Sequence, residues 1–324
     1  MFFNHIKSKI PAHISLVEEV AEILNISNDS AYRRIRGEKP ISLDEAHALC
    51  SKYQLSIDQL LQINTNAVIF SCDKIDHLSF GFNKYLQFVS NNLGLFSTLQ
   101  NPMMYYYGKD LPLFHFMPFP ELRGFKFFFW KRTVIGYPEM TRQRFNGEED
   151  DPEIIELSKK IDAQFVKIPS TDILNEESIN VTISQIEMYR QTNVFVDNEI
   201  IFKVYSQLEA LVDHLEIQIE SGKKSSYGLP DSPNCVPYEA YINESLIGDN
   251  TVFVQSDNRR IAFINHNGLN FMSTQDLGFC DFTFKHLQNV IRKSTHISVV
   301  GEKQRSMFFN TIREKIYERK KNLG

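Results

Sequence analysis

At 324 residues, with 35 Lys or Arg against 40 Asp or Glu, the chain carries a net charge of −5, and 42% of it is hydrophobic. That balance excludes a polycation that coats nucleic acid by charge alone, and the apolar runs fall short of a membrane span. Cys50, Cys72, Cys235 and Cys280 are too scattered for a disulfide scaffold or a paired zinc site.

The opening Met1-Phe-Phe-Asn-His-Ile-Lys7 is too short and polar for a signal peptide, so a reducing, cytoplasmic setting is expected. Residues 16–61 follow with the densest pattern in the chain. Ser15, Ser42 and Ser56 are each followed three residues later by Glu18, Glu45 or Gln59, the spacing of a capping box, and each predicts a helix start. Val17, Val20, Ala21 and Leu24 form a stripe at helical period. The turn Asn25-Ile26-Ser27 comes next, with Ile26 placed to plug the angle between two helices. Ser27 then caps a helix from Asn28 to about Arg36 whose Ala31 and Ile35 face inward, and Gly37 and Pro40 end it. Its other faces carry Asn28, Asp29, Ser30, Tyr32, Arg33, Arg34 and Arg36, side chains suited to base edges and phosphates, with Lys39 just beyond.

This stretch resembles the Cro and phage-repressor (XRE-type) family over roughly Phe2 to Leu61, about a fifth of the chain. The family's closing pattern is matched by Pro40, Ser42, Leu43, Ala46, Leu49, Leu55, Ser56, Asp58, Leu60 and Leu61. Two positions depart from it: Asn25 stands where Gly is usual, and Ala31 where Val or Ile is usual. The resemblance implies a five-helix lambda-repressor-like bundle whose second motif helix enters the major groove. It also implies DNA contacts from Ser27, Asn28, Asp29, Ser30, Tyr32, Arg33, Arg34, Arg36 and Lys39. Residues 1–63 hold seven Lys or Arg against eight Asp or Glu, which leaves open a bundle that docks protein instead. Four of those seven cations, however, fall between Arg33 and Lys39.

The expected division is a helix-turn-helix domain over 1–63, a linker over 64–74, and a larger domain over 75–324 that could split near 222–237. A helix is expected from Asp76 to about Leu99. Residues 103–130 then hold eleven Phe, Tyr or Trp in 28 positions, and their Gly and Pro breaks predict a strand, a turn and a second strand or short helix. This segment is either an aromatic core or the wall of a pocket whose ligand is oriented by His115, Glu121, Arg123 and Trp130. The acidic run Gly147 to Pro152 opens a helix, and further helices are expected over 155–165 and 178–191.

Along residues 198–220, Ile201, Val204, Leu208, Leu211 and Leu215 recur as a heptad seam, either a dimer interface or a long helix lying on a sheet. A loop at 222–233 precedes three antiparallel strands, 238–244, 251–255 and 260–264. Helices over 282–292 and 302–321 close the chain. Residues 292–321 carry nine Lys or Arg against three Glu, a surface for phosphate or for an acidic partner.

No phosphate loop, catalytic triad or metal-binding motif is present, so neither catalysis, a cofactor nor a metal is expected. The fold expected is α+β: an all-α bundle, then a mostly helical domain with a small antiparallel sheet. The expected function is sequence-specific DNA binding by a homodimeric transcriptional regulator whose C-terminal domain dimerises and senses a small-molecule or protein effector. Double-stranded DNA is the expected partner, and no membrane is. A protein-interaction adaptor and an enzyme tethered to DNA are the alternatives.

Overall fold

In the computed structural model the chain divides into two compact units, Met1–Ile69 and Phe70–Gly324. The structure describes residues 2–7, 10, 14–53, 55, 57, 67–72, 75, 81–147, 149, 151–229, 235–245 and 248–321.

The first unit contains α1 (Phe2–Lys7), α2 (Leu16–Leu24), α3 (Asn28–Ile35) and α4 (Leu43–Tyr53). The three expected capping boxes fare differently. Ser42 makes its box in full: its hydroxyl accepts from the Glu45 amide at 3.2 Å, and Glu45 Oε2 accepts from the Ser42 amide at 3.1 Å. Ser15 makes no side-chain cap bond, and the box expected at Ser56 and Gln59 lies outside the described residues. Ser27 caps α3 by accepting from the Ser30 amide at 3.3 Å.

Between α2 and α3 the chain turns at Asn25, which holds the left-handed conformation (φ 50°, ψ 50°) that Asn tolerates better than most residues. The Ile26 amide then donates to Ala21 O at 3.0 Å, closing α2 against its successor. Val20, Ala21, Ala31 and Leu49 form the buried centre, with Phe3 and Ile6 from α1 beneath them. The small side chains of Ala21 and Ala31 let α2 and α3 approach closely.

The second unit is mixed α/β, and its sheet is larger than the expected small antiparallel one. Its strands are β1 (Ser71–Cys72), β2 (Met103–Tyr107), β3 (Ser170–Leu174), β4 (Tyr238–Ile242), β5 (Thr251–Gln255), β6 (Arg260–Asn265), β7 (Phe271–Thr274) and β8 (Thr295–His296). They form one eight-stranded sheet in the order β1-β7-β6-β5-β2-β3-β4-β8. The pairs β2–β3 and β3–β4 are parallel and the rest antiparallel. β4 and β5, expected to be hairpin neighbours, are separated by β2 and β3. The expected linker contributes β1.

The helices of this unit are α5 (Phe82–Ser97), α6 (Pro120–Phe129), α7 (Pro152–Phe165), α8 (Asn180–Gln191), α9 (Asn198–Ser221), α10 (Leu277–Arg292) and α11 (Glu302–Lys321). Single-turn 3-10 helices occupy Leu113–Phe116 and Pro138–Met140, and a π-helix over Trp130–Ile135 continues α6. The acidic run opens α7 as expected, with Asp151 accepting from the amides of Glu153 at 2.9 Å and Ile154 at 3.4 Å. Alternation along the strands sorts the two faces of the sheet. Tyr107, Ile173, Phe253 and Ala262 meet Leu287 and Val290 of α10, whereas Met104, Leu174, Val254 and Ile261 meet helices on the other face.

The heptad seam of α9 is internal. Ile201, Val204, Leu208, Leu211 and Leu215 are at most 3% exposed, packed against α6, α11 and β4. The dimer reading of that seam is therefore corrected, because a face already covered from within cannot be shared with a second chain. The basic terminal helix is likewise answered from within. Arg313 pairs with Asp213 at 2.7 Å and with Glu216, Lys320 pairs with Glu209, and Lys315 pairs with Glu177 at 3.3 Å. Part of the expected surface for an acidic partner is thus already paired, through Arg313 and Lys320 with α9 and through Lys315 with Glu177 just before α8.

Candidate functional site

The polar residues of α3 divide into an inner and an outer set. Arg34, three residues beyond the fully buried Ala31, shares its side of the helix and is 7% exposed. Its Nε donates to Glu45 Oε2 at 3.0 Å, its Nη2 to Glu45 Oε1 at 2.6 Å, and its Nη1 to Ser30 O at 3.1 Å. This bidentate clamp ties α3 to α4, so Arg34 is corrected from an expected DNA contact to a structural residue. Ser27 spends its hydroxyl on the cap, and Ser30 is half-buried.

The outer set is Asn28, Asp29, Tyr32, Arg33 and Arg36, with Lys39 exposed just beyond. The Arg36 guanidinium lies 5.5 Å from the centre of the Tyr32 ring. Glu38 stands 3.2 Å from Arg36 and 3.9 Å from Arg33, within a partly exposed cluster.

In the second unit the aromatic run divides between the core and the wall of a cavity. Phe116, Phe119, Phe125 and Phe127 are buried in the core. Beside them opens a cavity of about 340 Å³ with apolar walls from Phe88 and Leu93 of α5, Phe114, Trp130, and Phe263 and Phe271 of β6 and β7. The turn after β2 shapes its polar side. Asn250 Oδ1 accepts from the Lys109 amide at 2.9 Å, and a Cβ on Gly108 would collide with Asn250, so glycine is required for this approach. Lys109 pairs with Asp249 at 3.0 Å.

Of the four residues expected to orient a ligand, Trp130 lines this cavity and the other three are engaged elsewhere. His115 Nε2 lies 2.9 Å from Asp172 Oδ2, Glu121 accepts from Gln207 Nε2, and Arg123 Nη1 donates to Met117 O at 2.6 Å.

The residue missed from sequence is Lys126. It is 1% exposed, and its Nζ donates to Gln185 Oε1 at 2.9 Å and Thr182 Oγ1 at 3.2 Å, with Asp110 Oδ2 at 3.4 Å. The Trp130 ring centre is 5.5 Å away. Burial pushes the ammonium below its ordinary range, against the pull of Asp110. One signal was available: Lys126 is the lone charge in Phe125-Lys-Phe-Phe-Phe-Trp130. Asp110, Gln185 and Trp130 line the cavity, so the Lys126 network borders it.

A second polar cluster lies within the core, around Asp172 on the fully buried β3. Asp172 Oδ2 accepts from Tyr238 Oη at 2.7 Å as well as facing His115. Lys224 Nζ donates to Phe165 O at 3.3 Å and Ile168 O at 2.9 Å.

Among the described residues, no group of three or more His, Cys, Asp or Glu is arranged to hold a metal ion, and no helix is long and apolar enough to cross a membrane. Comparison with protein-family models, with curated proteins and with solved structures finds no match to this chain.

Proposed function

We propose that the chain is a sequence-specific DNA-binding regulator, with a five-helix lambda-repressor-like bundle at its N-terminus and a second unit that dimerises and takes an effector. In this reading α3 enters the major groove. The observation that carries it is the outer face of α3, where Asn28, Tyr32, Arg33 and Arg36 are exposed together while Arg34 and Ala31 anchor the helix from behind. Arginine and asparagine on a groove-sized helix are the side chains that read guanine and adenine edges, and a planar ring under Arg36 limits the directions in which its fork can point. Lys39 and the Ser27 end of the helix are suited to backbone phosphate. A dimer would present two such helices to half-sites about one helical turn apart.

The experiment is selection of the full-length protein on a random duplex library, with Arg33→Ala/Arg36→Ala as the control. Enrichment of an inverted repeat that the control loses is the expected result. The absence of enrichment at low salt removes the DNA-binding reading and favours the adaptor.

A further inference from the structure

We propose that the cavity beside Trp130 binds an uncharged, flat aromatic molecule whose polar end is a hydrogen-bond acceptor such as a ketone. The size of about 340 Å³ lies in the range of small-molecule sites. Phe88, Phe114, Trp130, Phe263 and Phe271 offer ring faces and edges to a planar partner.

Charge narrows the class. Among the described residues, the ionic groups lining the cavity are already paired: Lys109 with Asp249 in an exposed ion pair, and Asp110 with Lys126 and the Leu111 amide at 2.9 Å. Among the described residues a charged ligand would lose its hydration without meeting an unpaired counter-charge, so a neutral one is favoured.

Gln185 then sets the polarity of the anchor. An ammonium has only donors, so the Gln185 oxygen must be the atom facing Lys126 Nζ. The amide Nε2 on the other limb is left as a donor on a residue that lines the cavity. With its oxygen held by Lys126, the amide has Nε2 to offer, and in the proposed complex that donor meets an acceptor on the ligand.

Binding at this site stands on the cavity alone; its role as the effector site rests on the regulator reading above. The sequence has one tryptophan, so quenching of Trp130 emission reports on the cavity in the full-length chain. Fluorenone, fluorene and fluorene carboxylate share a ring system and differ in the feature at issue. Fluorenone is expected to quench saturably, and fluorene to bind about tenfold more weakly for want of the acceptor. The carboxylate is expected to bind more weakly than the ketone. Gln185→Leu should bring the ketone down to the level of fluorene. Val89→Phe, which fills the cavity from α5, should weaken the ketone by about tenfold or more with the far-UV circular dichroism unchanged.

Quenching that does not saturate, that Val89→Phe leaves untouched, or that the carboxylate matches overturns the proposal. Saturable quenching in a protein that selects no DNA sequence supports this site and removes the regulator reading alone. Selection of DNA by a protein that fluorenone does not quench does the reverse.

Discussion

Glu45 accepts from the Ser42 amide and from two nitrogens of Arg34, so one carboxylate closes the start of α4 and clamps α3 to it. The Arg34 hydrogen bonds, and after them the Ser42 amide, hold its carboxyl below the ordinary range. A carboxylate lowered in the fold stabilises fully above its unfolded value of about 4.3 and loses that contribution as pH falls through the lowered folded value. Hydrogen-exchange protection of the α3 and α4 amides, corrected for intrinsic rates, should therefore drop in acid. Glu45→Gln should already lack that protection at neutral pH and show a flatter profile.

Lys224 behaves oppositely. Burial pushes it down to about 7, outweighing the pull of Asp172, and a neutral amine still has hydrogens for both of its carbonyl partners. An ammonium that must lose its proton on folding destabilises increasingly as pH falls from its unfolded value of about 10.4 toward the folded one. The urea midpoint of the second unit should rise between pH 7 and pH 9. Lys224→Met should flatten that rise, and an unchanged rise would locate the titration elsewhere.

At the scale of elements, α9 decides how the second unit is packed. Asp197 caps it on the Ile200 amide at 2.9 Å, and Gly222 (φ 66°) ends it. Between them the apolar seam is covered by α6, α11 and β4. Leu208→Ala removes a fully buried side chain, and a loss of about 2–5 kcal/mol is expected from urea unfolding. The oligomeric state measured by light scattering should stay as it was, because the seam faces inward. A shift to monomer in a folded variant would restore the seam as an interface. α6 shows how a single element serves two ends. Its phenylalanines fill the core, while its passage into the π-helix at Trp130 turns a large ring toward the cavity.

For the molecule as a whole, a net charge of −5 gives no general attraction to DNA, so binding through α3 would depend on few cations. The affinity for a selected duplex should fall steeply with salt, and Arg33→Ala/Arg36→Ala should shallow the log–log slope by about two if both meet phosphate. A weaker affinity at unchanged slope would assign both to base edges instead.

How much of this architecture was legible depended on the range of the interactions involved. The spacing of Val17, Val20, Ala21 and Leu24 and the cap at Ser27 announced α2 and α3, because period and capping act within a few residues. The acidic run from Gly147 to Pro152 announced the start of α7 through the attraction of acids to a helix N-terminus, while the cap by Asp151 emerged only in the structure. The outward set on α3 was legible apart from the half-buried Ser30 and from Arg34, whose partner Glu45 is eleven residues away on another helix.

β3 was missed because its five residues are buried throughout and carry no alternation to betray a strand. β1 and β8, two residues each, are strands only by virtue of their neighbours. The sequence by itself determined where most helices begin and end and which stretches are aromatic, since those follow from local backbone satisfaction and side-chain period. Only the tertiary structure decided that β2 and β3 separate β4 from β5, that the α9 seam faces inward, and that Lys126 joins Gln185 beside a cavity. Those outcomes depend on pairings and burial between residues far apart in the chain, which no local pattern encodes.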